Sequence, residues 1–142
     1  MRYAYPCRIF PDEGGFLCAE FRDVPEAHTG WPTREQTLVE AEDALAAALA
    51  AYVYLHREIP IPSPALEEED VISVPPIVAA KLALYTAMRE QHITNVALGE
   101  RLGLSESAVR KLVDPDHRSH ISSVMKALRA VGRNLVVEDR AA

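Results

Sequence analysis

Proline decides how this chain can be divided. Pro60, Pro62, Pro64, Pro75 and Pro76 fall within 59–76, together with the acidic run Glu67, Glu68, Glu69 and Asp70. Proline lacks the N–H that a helix interior or a central strand needs, and four adjacent like charges repel one another. The stretch is therefore expected to be an extended, acidic connector between two modules, 1–74 and 77–142. Within it, Val71 to Val74 is short, apolar and β-branched, and is expected to return to the first module as a last strand. Charge divides in the same place: residues 1–70 carry a net −9 and residues 71–142 a net +3. An acidic module attracts basic protein and repels nucleic acid, whereas a mildly basic one is able to approach phosphates.

With 142 residues, 49% hydrophobic and 25% charged, the chain has the composition of a globular protein of one domain or two small ones. No apolar run reaches the roughly 18 residues of a membrane span. The longest candidate, Ala44 to Leu55, is mostly alanine. No basic segment followed by an apolar one opens the chain, so no signal peptide, no membrane association and a cytoplasmic location are expected. Its two cysteines, Cys7 and Cys18, supply neither a disulfide framework nor a four-cysteine zinc site.

In the first module Tyr3, Tyr5, Cys7 and Ile9 alternate with Arg2, Ala4, Pro6 and Arg8, the period-2 pattern of a strand with one buried face. Pro6 argues for an edge position. Pro11 to Gly15 form a turn, and the apolar segment Phe16 to Phe21 completes a β-hairpin. A third short strand is expected to end near Trp31. Thr33 is placed to cap a helix, with Gln36 completing a capping box. Leu38, Ala41, Leu45, Ala48, Leu49, Tyr52 and Leu55 then recur on one helical face. Trp31 and Tyr52 read as core aromatics. A small sheet crossed by one long helix follows.

After the connector the apolar pattern is helical throughout. Ile77, Ala80, Leu84, Ala87 and Met88 share a face of one helix, and Ile121, Val124, Met125, Leu128 and Val131 share a face of another. Gly132 ends the latter, leaving Leu135 to Glu138 as a terminal strand or tail. Between the two helices, Asn95 to Val113 reads NVALGERLGLSESAVRKLV. Two short helices joined at a fixed angle need apolar residues at set positions and a turn residue that tolerates left-handed geometry. Leu98, Leu102, Leu104, Val109 and Leu112 supply the first and Gly103 the second, while Gly99 is small enough for close approach. Ser105 is placed to cap the second helix.

This arrangement resembles the lambda-repressor or Cro-like helix-turn-helix family over about 77–132. The resemblance implies a dimer whose second motif helix enters the major groove of an operator. Ser105, Ser107 and Ala108 would then approach bases, Arg110 and Lys111 bases or backbone, and Ser119 and His120 phosphate.

The first module carries a second resemblance. Tyr5-Pro6, the Gly14-Gly15 hairpin, Asp23-Val24-Pro25 before Gly30, the alanine-rich acidic helix Thr37 to Leu49, and Ile59-Pro60-Ile61-Pro62-Ser63-Pro64 occur in an order that resembles the HicB family of antitoxins over about 1–74. Glu26-Ala27 and Pro32-Thr33 depart from that family's usual pattern. The resemblance implies an α+β fold: a degenerate ribonuclease-H-like half-domain, followed by an all-α helix-turn-helix module. It also implies a non-catalytic antitoxin that masks HicA, a small basic ribonuclease toxin, and represses its own operon as a homodimer or homotetramer. Asp12, Glu13, Glu20, Asp23 and Glu26 are the candidate toxin contacts.

Other chemistries find less support. A two-metal nuclease needs several carboxylates converging on its ions, and Asp12, Glu13, Glu20 and Glu40 sit on different predicted elements with nothing to gather them. His117 and His120 lack a nearby cysteine, and Asp114 and Asp116 read as turn and cap residues, so neither metal nor cofactor is expected. The alternative is a repressor whose first module senses a small ligand, although a small sheet with one helix encloses little volume.

Overall fold

The computed structural model describes residues 1–141 and resolves into two compact units, Met1–Ala79 and Ala80–Ala142. Together they make an α+β protein. No helix among the described residues is long and apolar enough to cross a membrane.

The first unit contains β1 (Ala4–Pro11), β2 (Leu17–Glu20), β3 (His28–Trp31), α1 (Arg34–Tyr54) and β4 (Asp70–Ser73). They form an antiparallel sheet of order β3-β2-β1-β4. The expected hairpin is present: the Asp12 N–H donates to the Phe16 carbonyl at 2.9 Å, and Gly15 takes the positive φ the turn demands. The expected return of the chain to the sheet is present too, as β4.

Pro6 does not mark an edge, because β1 is an interior strand. Its 4–7 half pairs with β4, and its 8–11 half pairs with β2. The Val74 N–H donates to the Tyr3 carbonyl, which makes Tyr3 a hydrogen-bonded register position and Pro6, three residues on, a non-hydrogen-bonded one. The proline nitrogen therefore faces away from β4, on a side where β2 has already ended at Glu20 opposite Arg8.

Helix α1 begins where its sequence predicts. Thr33 is the N-cap, its hydroxyl accepting from the Gln36 N–H at 3.2 Å, while Gln36 accepts in return from the hydroxyl rather than from the backbone. Ala41, Leu45, Ala48, Leu49 and Tyr52 are buried with Tyr5, Cys7, Ala19, Phe21 and Val24 of the sheet side. Leu55, expected on this face, lies past the helix end and is exposed. Thr37 is buried instead, its hydroxyl donating to the Leu17 carbonyl at 2.8 Å. Trp31, expected in the core, is 37% exposed.

The acidic proline stretch is not a free connector. The Tyr5 hydroxyl donates to the Pro60 carbonyl at 2.7 Å, Ile59 is buried, and Asp23 accepts from both the N–H and the hydroxyl of Ser63. Arg22 donates to the Pro64 carbonyl and through two nitrogens to Glu69, whose side chain is only 6% exposed. Proline-rich backbone has no ladder of its own, so Tyr5 of β1 and Arg22 of the loop after β2 satisfy the Pro60 and Pro64 carbonyls.

The remaining helices are α2 (Pro76–Gln91), α3 (Asn95–Leu102), α4 (Glu106–Val113) and α5 (Ile121–Ala130). Pro76 opens α2 at a first-turn position where its missing N–H costs nothing. The core of the second unit joins Leu82, Leu84, Met88, Leu98, Val109, Leu112, Val124, Leu128 and Val131. Residues 135–138, expected as a strand or tail, form no strand, and Val136 and Val137 are exposed.

Candidate nucleic-acid interface and acidic surface

The α3–α4 corner is built on a contact that only glycine permits. Gly103 ends α3 in the left-handed conformation (φ 68°, ψ 33°), and the Leu104 N–H donates to the Gly99 carbonyl at 2.9 Å. A Cβ on Gly99 would lie 2.5 Å from the Leu104 carbonyl oxygen. Leu98, Val109 and Leu112 fill the interior as predicted, whereas Leu104 is 43% exposed at the corner. Ser105 caps α4, accepting from the Ala108 N–H at 3.1 Å.

Burying Val109 and Leu112 turns the opposite side of α4 outward. Ser107, Arg110 and Lys111 are exposed, and Ala108 is half-buried. Arg110 donates to Glu106 one turn back at 2.6 Å, and Asn95 of α3 reaches the same carboxylate at 3.4 Å. The arginine holds the Glu106 carboxyl below the usual carboxylate range. Glu106 thus occupies the Arg110 side chain instead of standing as an uncompensated negative charge on this face.

The two candidate residues before α5 divide. His120 is the exposed N-cap of α5, its Nδ1 accepting from the Ser122 N–H at 3.2 Å. Ser119 faces inward: its hydroxyl accepts from the ammonium of Lys81 at 2.8 Å. Lys81 is 1% exposed and also donates to the carbonyls of Lys111 (3.0 Å), Asp114 (2.8 Å) and His117. Its burial pulls the ammonium below the usual lysine value, with the nearby Asp114 charge opposing. Sequence reasoning missed Lys81, because one basic residue on a helical face carries no sign that four oxygens will surround it.

The five acidic candidates of the first unit differ in their surroundings. Asp12 is bound into its own turn, accepting from the Phe16 N–H at 2.9 Å and lying 3.7 Å from the Cys18 thiol, whose pKa it helps raise after burial. Asp23 holds Ser63. Glu26 accepts from the Tyr52 hydroxyl at 2.7 Å and from Arg57 at 3.0 Å; Arg57 also lies over the Tyr52 ring. The tyrosine bond first, then a backbone N–H and the arginine, hold Glu26 below the usual range. Glu13 and Glu20 are exposed, and α1 adds exposed Glu35, Glu42 and Asp43, which sequence reasoning did not single out. A shallow depression lined by Trp31, Glu35, Gln36, Val39 and Glu40 opens beside them. Burial, followed by the charge of Asp70, pushes the Cys7 thiol up to about 12. Among the described residues no three or more His, Cys, Asp or Glu side chains are grouped to hold a metal ion.

A family model described as the HicB_like antitoxin of bacterial toxin-antitoxin system matches residues 4–83. Antitoxin HicB 2 of Photorhabdus laumondii is 37% identical over 131 residues, covering 92% of this chain and 92% of the relative. Antitoxin HicB of Pseudomonas fluorescens is 35% identical over 141 residues, covering 99% and 94% respectively. Antitoxin HicB of Escherichia coli is 34% identical over 132 residues, covering 92% and 95%.

Proposed function

The chain belongs to the HicB-like antitoxin family of bacterial toxin–antitoxin systems, and from that premise we propose that it works through two surfaces. The first unit binds and neutralises a small basic ribonuclease toxin of the HicA type. The second binds operator DNA and represses transcription of the operon. Neither role requires catalysis or a cofactor.

Charge supports the toxin surface. Glu13, Glu20, Glu35, Glu42 and Asp43 are solvated on the first unit, while Asp23 and Glu26 are occupied in holding the fold. Solvated carboxylates steer a basic partner at long range, and affinity then comes from a desolvated centre. Trp31 and Val39 are exposed apolar side chains amid that charge.

The DNA reading is carried by one observation: α4 turns Ser107, Arg110 and Lys111 outward on a corner whose geometry Gly99 and Gly103 determine. In this reading Ser105, Ser107 and Ala108 approach base edges from the N-terminal end of α4. Arg110 and Lys111 contact bases or backbone, and His120 meets phosphate from the start of α5. A homodimer presents two copies of α4 to half-sites about 34 Å apart, and a tetramer links two such pairs.

Replacing Arg110 and Lys111 together with alanine is expected to weaken binding to the operon's own promoter. Each phosphate that the protein ceases to neutralise makes the slope of log affinity against log salt less negative by about 0.9. A gel-shift titration at several salt concentrations reads both quantities. Wild-type affinity and slope in the double variant would remove α4 as the recognition helix.

A further inference from the structure

The buried ammonium of Lys81 is bonded to neutral oxygens, none of them a carboxylate. It has three N–H donors, and four oxygens lie around it: the carbonyls of Lys111, Asp114 and His117, and the Ser119 hydroxyl. Lys111 lies in the last turn of α4, Asp114 is its C-cap, His117 is in the loop, and Ser119 immediately precedes the N-cap of α5. The last carbonyls of a helix have no partner within it and carry the negative end of its dipole. A buried cation therefore gathers carbonyls from the end of α4 and the lead-in to α5 at one point. Within the loop, the Asp114 side chain accepts from the Asp116 N–H at 2.9 Å and its carbonyl from the His117 N–H at 3.1 Å. Those two bonds close a turn, and the ammonium is what ties that turn to α2.

We propose that Lys81 is a positioning residue for DNA binding: its ammonium locks the end of α4 to the start of α5, fixing the spacing between the base-reading and phosphate-contacting side chains. This rests on the DNA-binding reading above. Lys81 itself is too deeply buried to touch DNA. It acts by holding Arg110 and Lys111 on α4 in register with His120 across the loop. A neutral side chain of the same length would leave four oxygens without this donor, and the loop would turn to water for them.

The test uses the full-length chain and a promoter fragment from its own operon, with a scrambled duplex as control. Lys81→Met is expected to keep wild-type helicity in the cold and to lose about tenfold or more in operator affinity, because a site held by a loosened support loses its geometry. Lys81→Ala removes a fragment equivalent to n-propylammonium. Adding that cation should restore binding to Lys81→Ala, whereas tetramethylammonium at equal ionic strength should not. Helical Lys81→Met that binds the operator like the wild type would overturn the proposal. Where Lys81→Met fails to fold, Lys81→Ala decides: recovery of operator binding in n-propylammonium supports the role, and failure to recover it overturns the role. A wild-type chain that does not distinguish operator from scrambled duplex would overturn the DNA reading itself.

Discussion

Gly99→Val is expected to unfold the helical unit in dilute urea while the sheet unit stays folded. The first atom of the new side chain would lie 2.5 Å from the Leu104 carbonyl oxygen and 3.5 Å from a Val109 methyl. The carbonyl is backbone of the corner that joins α3 to α4, so it cannot withdraw like the end of a flexible side chain. Moving Leu104 would also break the 2.9 Å bond from its N–H to the Gly99 carbonyl. Overpacking of this kind costs about 1–3 kcal/mol or more, a large part of what a unit this small commands. Trp31 is the single tryptophan and lies in the first unit, so its fluorescence follows that unit alone, while far-ultraviolet circular dichroism follows the helices of both units, α1 in the first and α3, α4 and α5 in the second. The prediction is an early dichroism transition with the fluorescence transition unmoved. Coincident curves for variant and wild type would show that the close approach is not needed.

The reciprocal result is expected from Leu45→Ala. Leu45 lies mid-helix on α1, fully buried with Ala41, Leu49 and Tyr5, and its truncation leaves a cavity under a sheet of only four strands. Such losses run about 2–5 kcal/mol. The fluorescence midpoint should fall steeply and toxin neutralisation fail at 37 °C, while promoter binding by the purified variant persists in the cold. Lost promoter binding at a temperature where α3 and α4 remain helical would contradict the assignment of the two roles to separate units.

Features that depend on neighbours in sequence are legible in the residues themselves. Thr33 and Ser105 announce helix starts by position and chemistry, Gly103 marks a left-handed turn, and Val71 to Val74 marks a strand. What is not legible depends on residues distant in the chain. Pro6 reads as an edge residue until the register shows that its nitrogen faces the side where β2 has ended. The proline stretch reads as a connector until Tyr5, Arg22 and Asp23 are seen to hold it. His56 and His92 occupy left-handed positions after helix ends, at φ 55° in both, where glycine would be expected. In the candidate sites, exposure on α4 follows from helical periodicity. The engagement of Ser119 by Lys81, of Asp23 by Ser63 and of Glu26 by Tyr52 does not, because those partners lie more than twenty residues away.

The central claim is that this chain neutralises a toxin, and the most direct measurement is growth. A small basic ribonuclease of the HicA type would be expressed from an inducible promoter, alone and with this chain, followed by affinity purification and intact-mass analysis. The account predicts arrest with the basic protein alone, growth when both are present, and recovery of the two as a stoichiometric complex. Arrest that persists with this chain abundant and folded, with no complex recovered, would contradict it.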